Sequence, residues 1–286
     1  MVKKSFHIIG AGKVGQAFAA ILQRSGWQLS AVYSPHHADK IVRQSGRGMV
    51  VRSVSELPFS DVVLVTARDD AIETVAAELA ACPWLDERVT VVHTSGAKTV
   101  EALAAAAGQG AAVGGLHPVF AFSDVDHAVA RLPGSLCALE GDARAMAVLQ
   151  GLADALGLQA FAIRSEQKVR YHAAMSAAAN FTVALSAYAQ DVLSPLGLPP
   201  DLRARLVGEL MAQNLSALQI MPSEHALTGP IVRGDAGTVA AHLAALTDAE
   251  TDFYRSAARQ TLRVAERSGR LPSEAVEPLR KLLAEE

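Results

Sequence analysis

Through the first half of the chain, short β-branched apolar runs alternate with longer alanine-rich stretches whose apolar positions recur at helical spacing. The runs predict strands at 6–9, 29–33, 62–66, 89–93, 112–116, 136–139 and 159–163, and the stretches predict helices at 14–24, 71–81, 99–107 and 143–156. This alternation predicts βαβ units, hence an α/β domain on a doubly wound, mainly parallel sheet with helices on both faces. Runs such as Val62-Val63-Leu64-Val65 carry no polar alternation, as expected of strands buried on both sides. Beyond residue 163 the pattern changes. Ser165 is placed to cap a helix with Lys168 in its first turn, and helical spacing continues to Leu193, ahead of Gly197, Pro199 and Pro200. Further helices are predicted at 201–219 and 238–267, with a loop rich in proline and glycine between them and no strand pattern. The expected division is an α/β domain over residues 1–164 and an all-α domain over residues 165–286.

Of the 286 residues 50% are hydrophobic and 19% charged, enough apolar surface for a sizeable core, which excludes a disordered chain. The net charge of −3 comes without clustered basic residues, so no nucleic-acid partner is expected. Cys82 and Cys137 stand far apart, with neither the pattern of a disulfide framework nor the spacing of a zinc module. No metal is expected, and a reducing compartment fits. No run reaches the roughly 20 uninterrupted apolar residues of a spanning helix, so no membrane partner is expected. Met1-Val2-Lys3-Lys4 leads into an apolar run that Gly10 interrupts too early for a secretory signal, and the expected location is the cytoplasm.

The first strand runs directly into Gly10-Ala11-Gly12-Lys13-Val14-Gly15, a GxGxxG at the opening of the first helix. Gly10 allows a tight turn, Gly12 lets the backbone approach a pyrophosphate, and Gly15 lets helix and strand pack closely while the helix N-terminus faces the anion. With a strand before it and a helix after it, the motif predicts dinucleotide binding by residues 10–15 rather than a structural glycine turn. An NAD enzyme places an acidic residue at the end of the second strand to hold the ribose hydroxyls. This chain reads Ala31-Val32-Tyr33-Ser34-Pro35-His36-His37 there, with Lys40 following. Ser34, His36 and Lys40 suit a 2′-phosphate, so NADP(H) is the expected cofactor; Asp39 lies beyond the turn and reads as a solvated helix residue. Ala67, Arg68, Ser95, Gly96 and His117 follow later strands and are expected near the nicotinamide half, at the carboxyl ends of the strands. Arg68 and Asp70 also fit a helix cap and a surface charge, Ser95-Gly96 a simple turn, and His117 a structural histidine.

In the second half, Lys168, His172, Ser176 and Asn180 recur every four residues and form one polar stripe on a helix otherwise filled with alanine and larger apolar residues. A row of neutral polar groups in such company fits the lining of a cleft better than a wet face, although Lys168 alone also suits solvent. In the loop from Leu227 to Thr238, Arg233 offers a bidentate fork for a carboxylate, while Asp235 or Thr238 caps the next helix.

The GxGxxG domain, the Ser95-Gly96 and His117-Pro118 strand ends, Lys168-Val169-Arg170-Tyr171-His172, and the loop Leu227-Thr228-Gly229-Pro230 with Arg233-Gly234-Asp235 occur in this order. Over nearly its whole length the chain resembles the bacterial Rossmann-like oxidoreductases whose C-terminal helical domain is of unknown function. Some members of that family are alternative ketopantoate reductases. More distantly, the chain is similar to pyrroline-5-carboxylate reductases and β-hydroxyacid dehydrogenases, which share the two-domain plan and commonly dimerise through the helical domain. The resemblance implies an NADP-dependent oxidoreductase, a homodimer joined through its helical domain, that reduces a small ketopantoate-like 2-oxo acid by hydride transfer. An imine reductase of the pyrroline-5-carboxylate type and a non-catalytic NADP-binding regulatory dimer are the alternatives. On this reading Lys168 is the expected proton donor and His172 the reserve acid, with His117, Ser176, Asn180 and Arg233 on the substrate. His172 stands where hydroxyacid dehydrogenases place an asparagine four residues after their lysine, and Ala162-Ile163-Arg164-Ser165-Glu166-Gln167 replaces the glycines before it. In the pyrroline-reductase branch no such lysine acts, and the loop near Thr228 supplies hydroxyls instead.

Overall fold

In a computed structural model, residues 4–284 are described. Met1, Val2 and Lys3, ahead of the first predicted strand, lie outside the described residues. Strands β1 (Ser5–Ile9), β2 (Gln28–Tyr33), β3 (Met49–Val51), β4 (Val62–Val65), β5 (Thr90–His93), β6 (Ala112–Pro118), β7 (Leu136–Gly141) and β8 (Gln159–Ala162) form one sheet in the order β3-β2-β1-β4-β5-β6-β7-β8. The first six strands are mutually parallel; β7 runs antiparallel to β6, and β8 parallel to β7. The order therefore reverses between β1 and β4, the point at which open α/β sheets leave a crevice beyond the carboxyl ends of their strands.

Side chains of a strand alternate between the two faces, and here both faces are covered. Phe6, Ile8, Val62 and Leu64 pack with Phe18 and Leu22 of α1 (Lys13–Arg24) on one face. Ile9, Val63 and Val65 pack with Ile72, Val75 and Leu79 of α3 (Ile72–Ala80) on the other. Two-sided burial is the physical reason for the unbroken apolar runs. Two elements between β2 and β4 lie outside the sequence expectation. The helix α2 (Ala38–Ser45) buries only Ala38 and Ile41, so it shows no apolar period, and β3 is three residues long. Further along, α4 (Ala104–Ala107) and α6 (Ala143–Ala155) fall within predicted helices, while α5 (Val125–Arg131), capped by Asp124, buries only Ala128 and was not predicted.

From residue 165 onward every regular element is helical: α7 (Ser165–Ser176), a π-helical turn (Ala177–Phe181), α8 (Thr182–Val192), α9 (Pro200–Leu218), α10 (Ser223–Ala226), α11 (Ala236–Ala245), α12 (Asp248–Arg267) and α13 (Ser273–Leu282). The stretch 238–267 is two helices rather than one. Thr247 and Glu250 form a capping box that starts α12, a signature the sequence carries as Thr-x-x-Glu. Ser165 is not the cap of α7. Arg164 holds that position, and Ser165 is its first helical residue. The chain divides into two compact units between Ala179 and Asn180, beyond the expected boundary at 164/165. The first unit includes α7 because Lys168 and Tyr171 of this helix bond to strand residues Glu140 and His117. The second has its own core of Ile231, Val232, Val239, Ala258, Leu262, Ala265, Leu279 and Leu283. No helix among the described residues is long and apolar enough to cross a membrane.

Candidate active site

The glycine turn closes on the switch point of the sheet. Gly10 has φ +106°, and a Cβ there would fall 2.6 Å from the amide nitrogen of Ala67, at the end of β4. A Cβ on Gly15 would meet the Gly10 carbonyl and lie 2.7 Å from Thr66 Oγ1, so close packing of α1 on the strands requires glycine. Thr66 Oγ1 donates to the Gly10 carbonyl at 2.6 Å, and Gln16 Nε2 donates to the Ala11 carbonyl at 2.9 Å, which fixes the turn from both sides. Gly12 differs: nothing stands within 4 Å of where its Cβ would be. It is the N-cap of α1, no side chain bonds into the first helical turn, and that turn has no acidic residue. The amides of Lys13 and Val14 and the open space at Gly12 thus suit a pyrophosphate.

At the end of β2, Ser34 Oγ lies 3.4 Å from the His36 amide, and His37 adopts φ 64°, an uncommon conformation for a side-chain-bearing residue, as it starts α2. His36 and Lys40 are exposed. Asp39 pairs with Arg43 at 2.5 Å, while Glu78 and Asp70 line the cavity beside Ser34. Arg68 is exposed and pairs with Asp70 at 3.0 Å. The Ser95 hydroxyl is fully used: it donates to Asp69 Oδ2 at 2.8 Å and accepts from the amides of Ala97 and Lys98. Ser95 therefore shapes the turn beside Gly96.

Beyond the ends of β5 and β6, three histidines gather. His93 accepts from the Ser95 amide at Nδ1 and so carries its proton at Nε2, 3.2 Å from the Thr99 carbonyl. A Cβ on Gly96 would lie 2.7 Å from His117 Nε2 and against His172 Nδ1, so both imidazoles converge on the Gly96 backbone. His117 Nδ1 is 2.9 Å from the hydroxyl of Tyr171. His172 Nδ1 is buried and has no hydrogen-bond partner among the described residues. Burial lowers both His93 and His117 to about 4, helped at His93 by the Lys168 charge and at His117 by His172 and then Lys168, so both are neutral at pH 7. The unfolded chain binds these protons near pH 6.5, so stability is expected to fall as pH drops from 6.5 towards 4. Thermal unfolding across that window checks this, and a flat profile contradicts it.

Lys168 is 1% exposed. Its Nζ donates to Glu140 Oε2 at 2.6 Å, next to Gly115, where a Cβ would lie 2.7 Å from the ammonium. Glu140 Oε1 accepts from Ser165 Oγ at 2.5 Å and from the Val100 amide at 3.2 Å. Three donors on one carboxyl group are satisfied by a carboxylate. Burial raises the Glu140 pKa, but the bonds from Lys168 and Ser165 outweigh it and hold the group below its usual range. Burial lowers Lys168, and the contact with Glu140 opposes the fall. The ammonium thus faces the interior, not a surface cleft.

On α7, Lys168 is buried and His172 and Ser176 are half-buried, while Val169 is exposed, so the polar stripe is the inward face of that helix. Asn180 lies in the π-helical turn, where the widened helix no longer keeps the four-residue spacing, and it is exposed. In the second unit, Arg233 is exposed and makes no hydrogen bond or ion pair among the described residues. Asp235 caps α11, accepting from both the amide and the hydroxyl of Thr238. Tyr171, His93, Asp69 and Glu140 were missed by sequence reasoning. Glu140 and His93 each end an apolar strand, and a polar group in that place signals a buried partner. Among the described residues no group of three or more His, Cys, Asp or Glu could hold a metal ion.

Residues 2–118 match the model of the Rossmann-like domain, and residues 135–261 match that of a domain of unknown function, DUF2520. No curated protein matches the chain. Among solved structures it is similar to protein BF3122 from Bacteroides fragilis, provisionally named an NADP oxidoreductase, at 22% identity and TM-score 0.74, over 91% of this chain and 98% of that one. It is similar to protein TM1727 from Thermotoga maritima at 26% identity and TM-score 0.66, over 96% and 99% of the two chains. A pyrroline carboxylate reductase from Plasmodium falciparum with NADP bound is similar at 12% identity and TM-score 0.62, over 99% and 100%. The chain thus matches a Rossmann-like model in its first part and the DUF2520 model in much of the rest, the combination its motifs resemble.

Proposed function

We propose that the protein is an NADP-dependent oxidoreductase that reduces a small carbonyl compound, a ketopantoate-like 2-oxo acid being the leading substrate class. The observation that carries this reading is the open anion cradle at Gly12 on the same sheet edge as the His117–His172 pair. Residues 10–15 would hold the pyrophosphate, Ser34, His36 and Lys40 the 2′-phosphate, and Ala67, Arg68 and the Ser95–Gly96 turn would border the nicotinamide half. When bound, NADPH supplies the hydride. The chain's own task is then to deliver a proton to the developing alkoxide and to steady its charge. His172 is the group we assign to the proton, because the ammonium of Lys168 is committed to Glu140 in the interior. Lys168 acts from behind, as a buried charge anchor for α7. His117 and Ser176 are assigned to the substrate; Asn180 and Arg233 belong to the second unit and keep the expectation drawn from the sequence, Arg233 for a carboxylate.

NADPH is expected to bind at least about 10-fold more tightly than NADH, with Lys40→Ala narrowing the gap, since Ser34, His36 and Lys40 stand where an NAD enzyme places an acidic residue. Fluorescence titration with both nucleotides measures this, and equal affinity overturns the cofactor assignment. Turnover of NADPH with 2-oxo acids against cyclic imines decides the substrate class. The imine reading is favoured by the similarity to a pyrroline carboxylate reductase. NADPH binding without turnover of either class would favour a regulatory role.

The helical part is also assigned to a homodimer interface in a cytoplasmic protein. Phe181 and Val183 are 66% and 70% exposed, apolar surface of the kind that an isologous contact covers twice. Sedimentation at micromolar concentration is expected to give a dimer; a species of 30.0 kDa would contradict it.

A further inference from the structure

Tyr171 stands beside His172 on α7, and its hydroxyl reaches back to His117 at the end of β6. The two rings meet edge-on, with centroids 5.6 Å apart and planes at 86°, while Phe161 of β8 packs edge-on against the other side of the tyrosine at 6.1 Å. Nδ1 of His117 is the hydroxyl's hydrogen-bond partner among the described residues. A phenol is a stronger donor than a neutral imidazole N–H, and an imidazole nitrogen a stronger acceptor than a phenol oxygen, so O–H donates to Nδ1. Burial pushes the phenol up to about 12, which keeps that hydrogen in place at neutral pH.

With Nδ1 accepting, a neutral His117 carries its proton on Nε2, the nitrogen that faces Gly96. His172 Nδ1 faces the same point, buried and without a partner. An N–H directed into this small space favours a lone pair, not a second N–H, on the facing nitrogen. The proton of neutral His172 then sits on Nε2, the ring nitrogen turned away from the Gly96 backbone.

We propose that Tyr171 and His117 are positioning residues that hold His172 in its Nε2–H tautomer, so that the hydrogen is presented on the side of the ring away from the strand ends. This rests on the reading of His172 as the proton donor. The order of influence is Tyr171 Oη to His117 Nδ1, then the dipole of His117 Nε2–H at the unpaired Nδ1 of His172. The His172 ring stands edge-on to His117 with centroids 5.9 Å apart; no hydrogen bond joins the two rings and no proton needs to travel. The arrangement resembles no charge relay; it sets a tautomer, and the neutral imidazole is the acid.

The test is nitrogen NMR of the full-length protein labelled at histidine, with the signals assigned through His117→Gln and His172→Gln. The expected result is that both rings are neutral Nε2–H tautomers at pH 7, and that Tyr171→Phe leaves His172 in mixed tautomers. Tyr171→Phe should also lower kcat about 10-fold, the worth of one hydrogen bond, with NADPH affinity unchanged. A purely structural role for the tyrosine would leave the His172 tautomer as it is. Finding His172 protonated on Nδ1 in the unaltered protein, or a tautomer indifferent to Tyr171→Phe, overturns the proposal; if that variant fails to fold, the unaltered protein's spectrum decides alone. The spectrum needs no substrate, so it is independent of turnover, which tests the donor reading itself.

Discussion

His172→Ala is expected to lower kcat about 10²-fold or more while NADPH affinity stays within a factor of about two, because a positioned acid contributes to the chemical step and not to nucleotide binding. His172 is half-buried, its Nδ1 has no hydrogen-bond partner among the described residues, and it stands where two strand ends and α7 meet. Sequence reasoning gives Lys168 the larger effect on turnover, but the interior position of Lys168 reverses that order. Gly96→Ala should act on the same group from the other side. A methyl there would lie 2.7 Å from His117 Nε2 and against His172 Nδ1, so the rings must part. Steady-state kinetics of both variants with NADPH and the best carbonyl or imine substrate measure the effect. Full turnover by His172→Ala would remove that residue from the mechanism.

Lys168→Ala is expected to act mainly on stability, by about 3–5 kcal/mol, since it leaves the Glu140 carboxylate buried without its counter-charge. The Lys168 and Glu140 side chains are 2% and 3% exposed, so water cannot take the place of the lost ammonium. Lys168→Met combined with Glu140→Gln should recover much of the loss. The amide oxygen still accepts from Ser165 and Val100, and no net charge is left inside. The pH dependence has a definite sign. Glu140 is held below its ordinary 4.5, so its contribution is present above that pH and is lost on acidification. Chemical denaturation of the single and double variants reads these differences, and a single variant as stable as the unaltered chain would show that the pair contributes nothing.

The sheet was legible because its strands are buried on both faces. Val62–Val65 alternates between two cores, which only an unbroken apolar run satisfies, and in Phe6–Ile9 the one polar member, His7, is buried against the Pro58 carbonyl. Elements with one or two buried residues left no such trace, and α2, β3 and α5 are of that kind. Local chemistry explains the glycine turn: Gly10 and Gly15 each meet a requirement set within a few residues or by the adjacent strand, while Gly12 leaves open space. The histidine cluster depends on long-range pairing. Tyr171 meets His117 across 54 positions and Lys168 meets Glu140 across 28, so helical spacing showed the stripe but not what it faces. The break at Leu246–Thr247 was present in the sequence as a capping box, outweighed by the apolar pattern on either side.

A crystal structure of the protein soaked with NADPH tests the central claim most directly. The predicted result is a pyrophosphate against the amides of Lys13 and Val14, a 2′-phosphate among Ser34, His36 and Lys40, and a nicotinamide ring whose reactive carbon lies within one small substrate of His172 Nε2. A nucleotide bound away from the glycine turn, or a nicotinamide that His172 cannot approach across one small substrate, would contradict it.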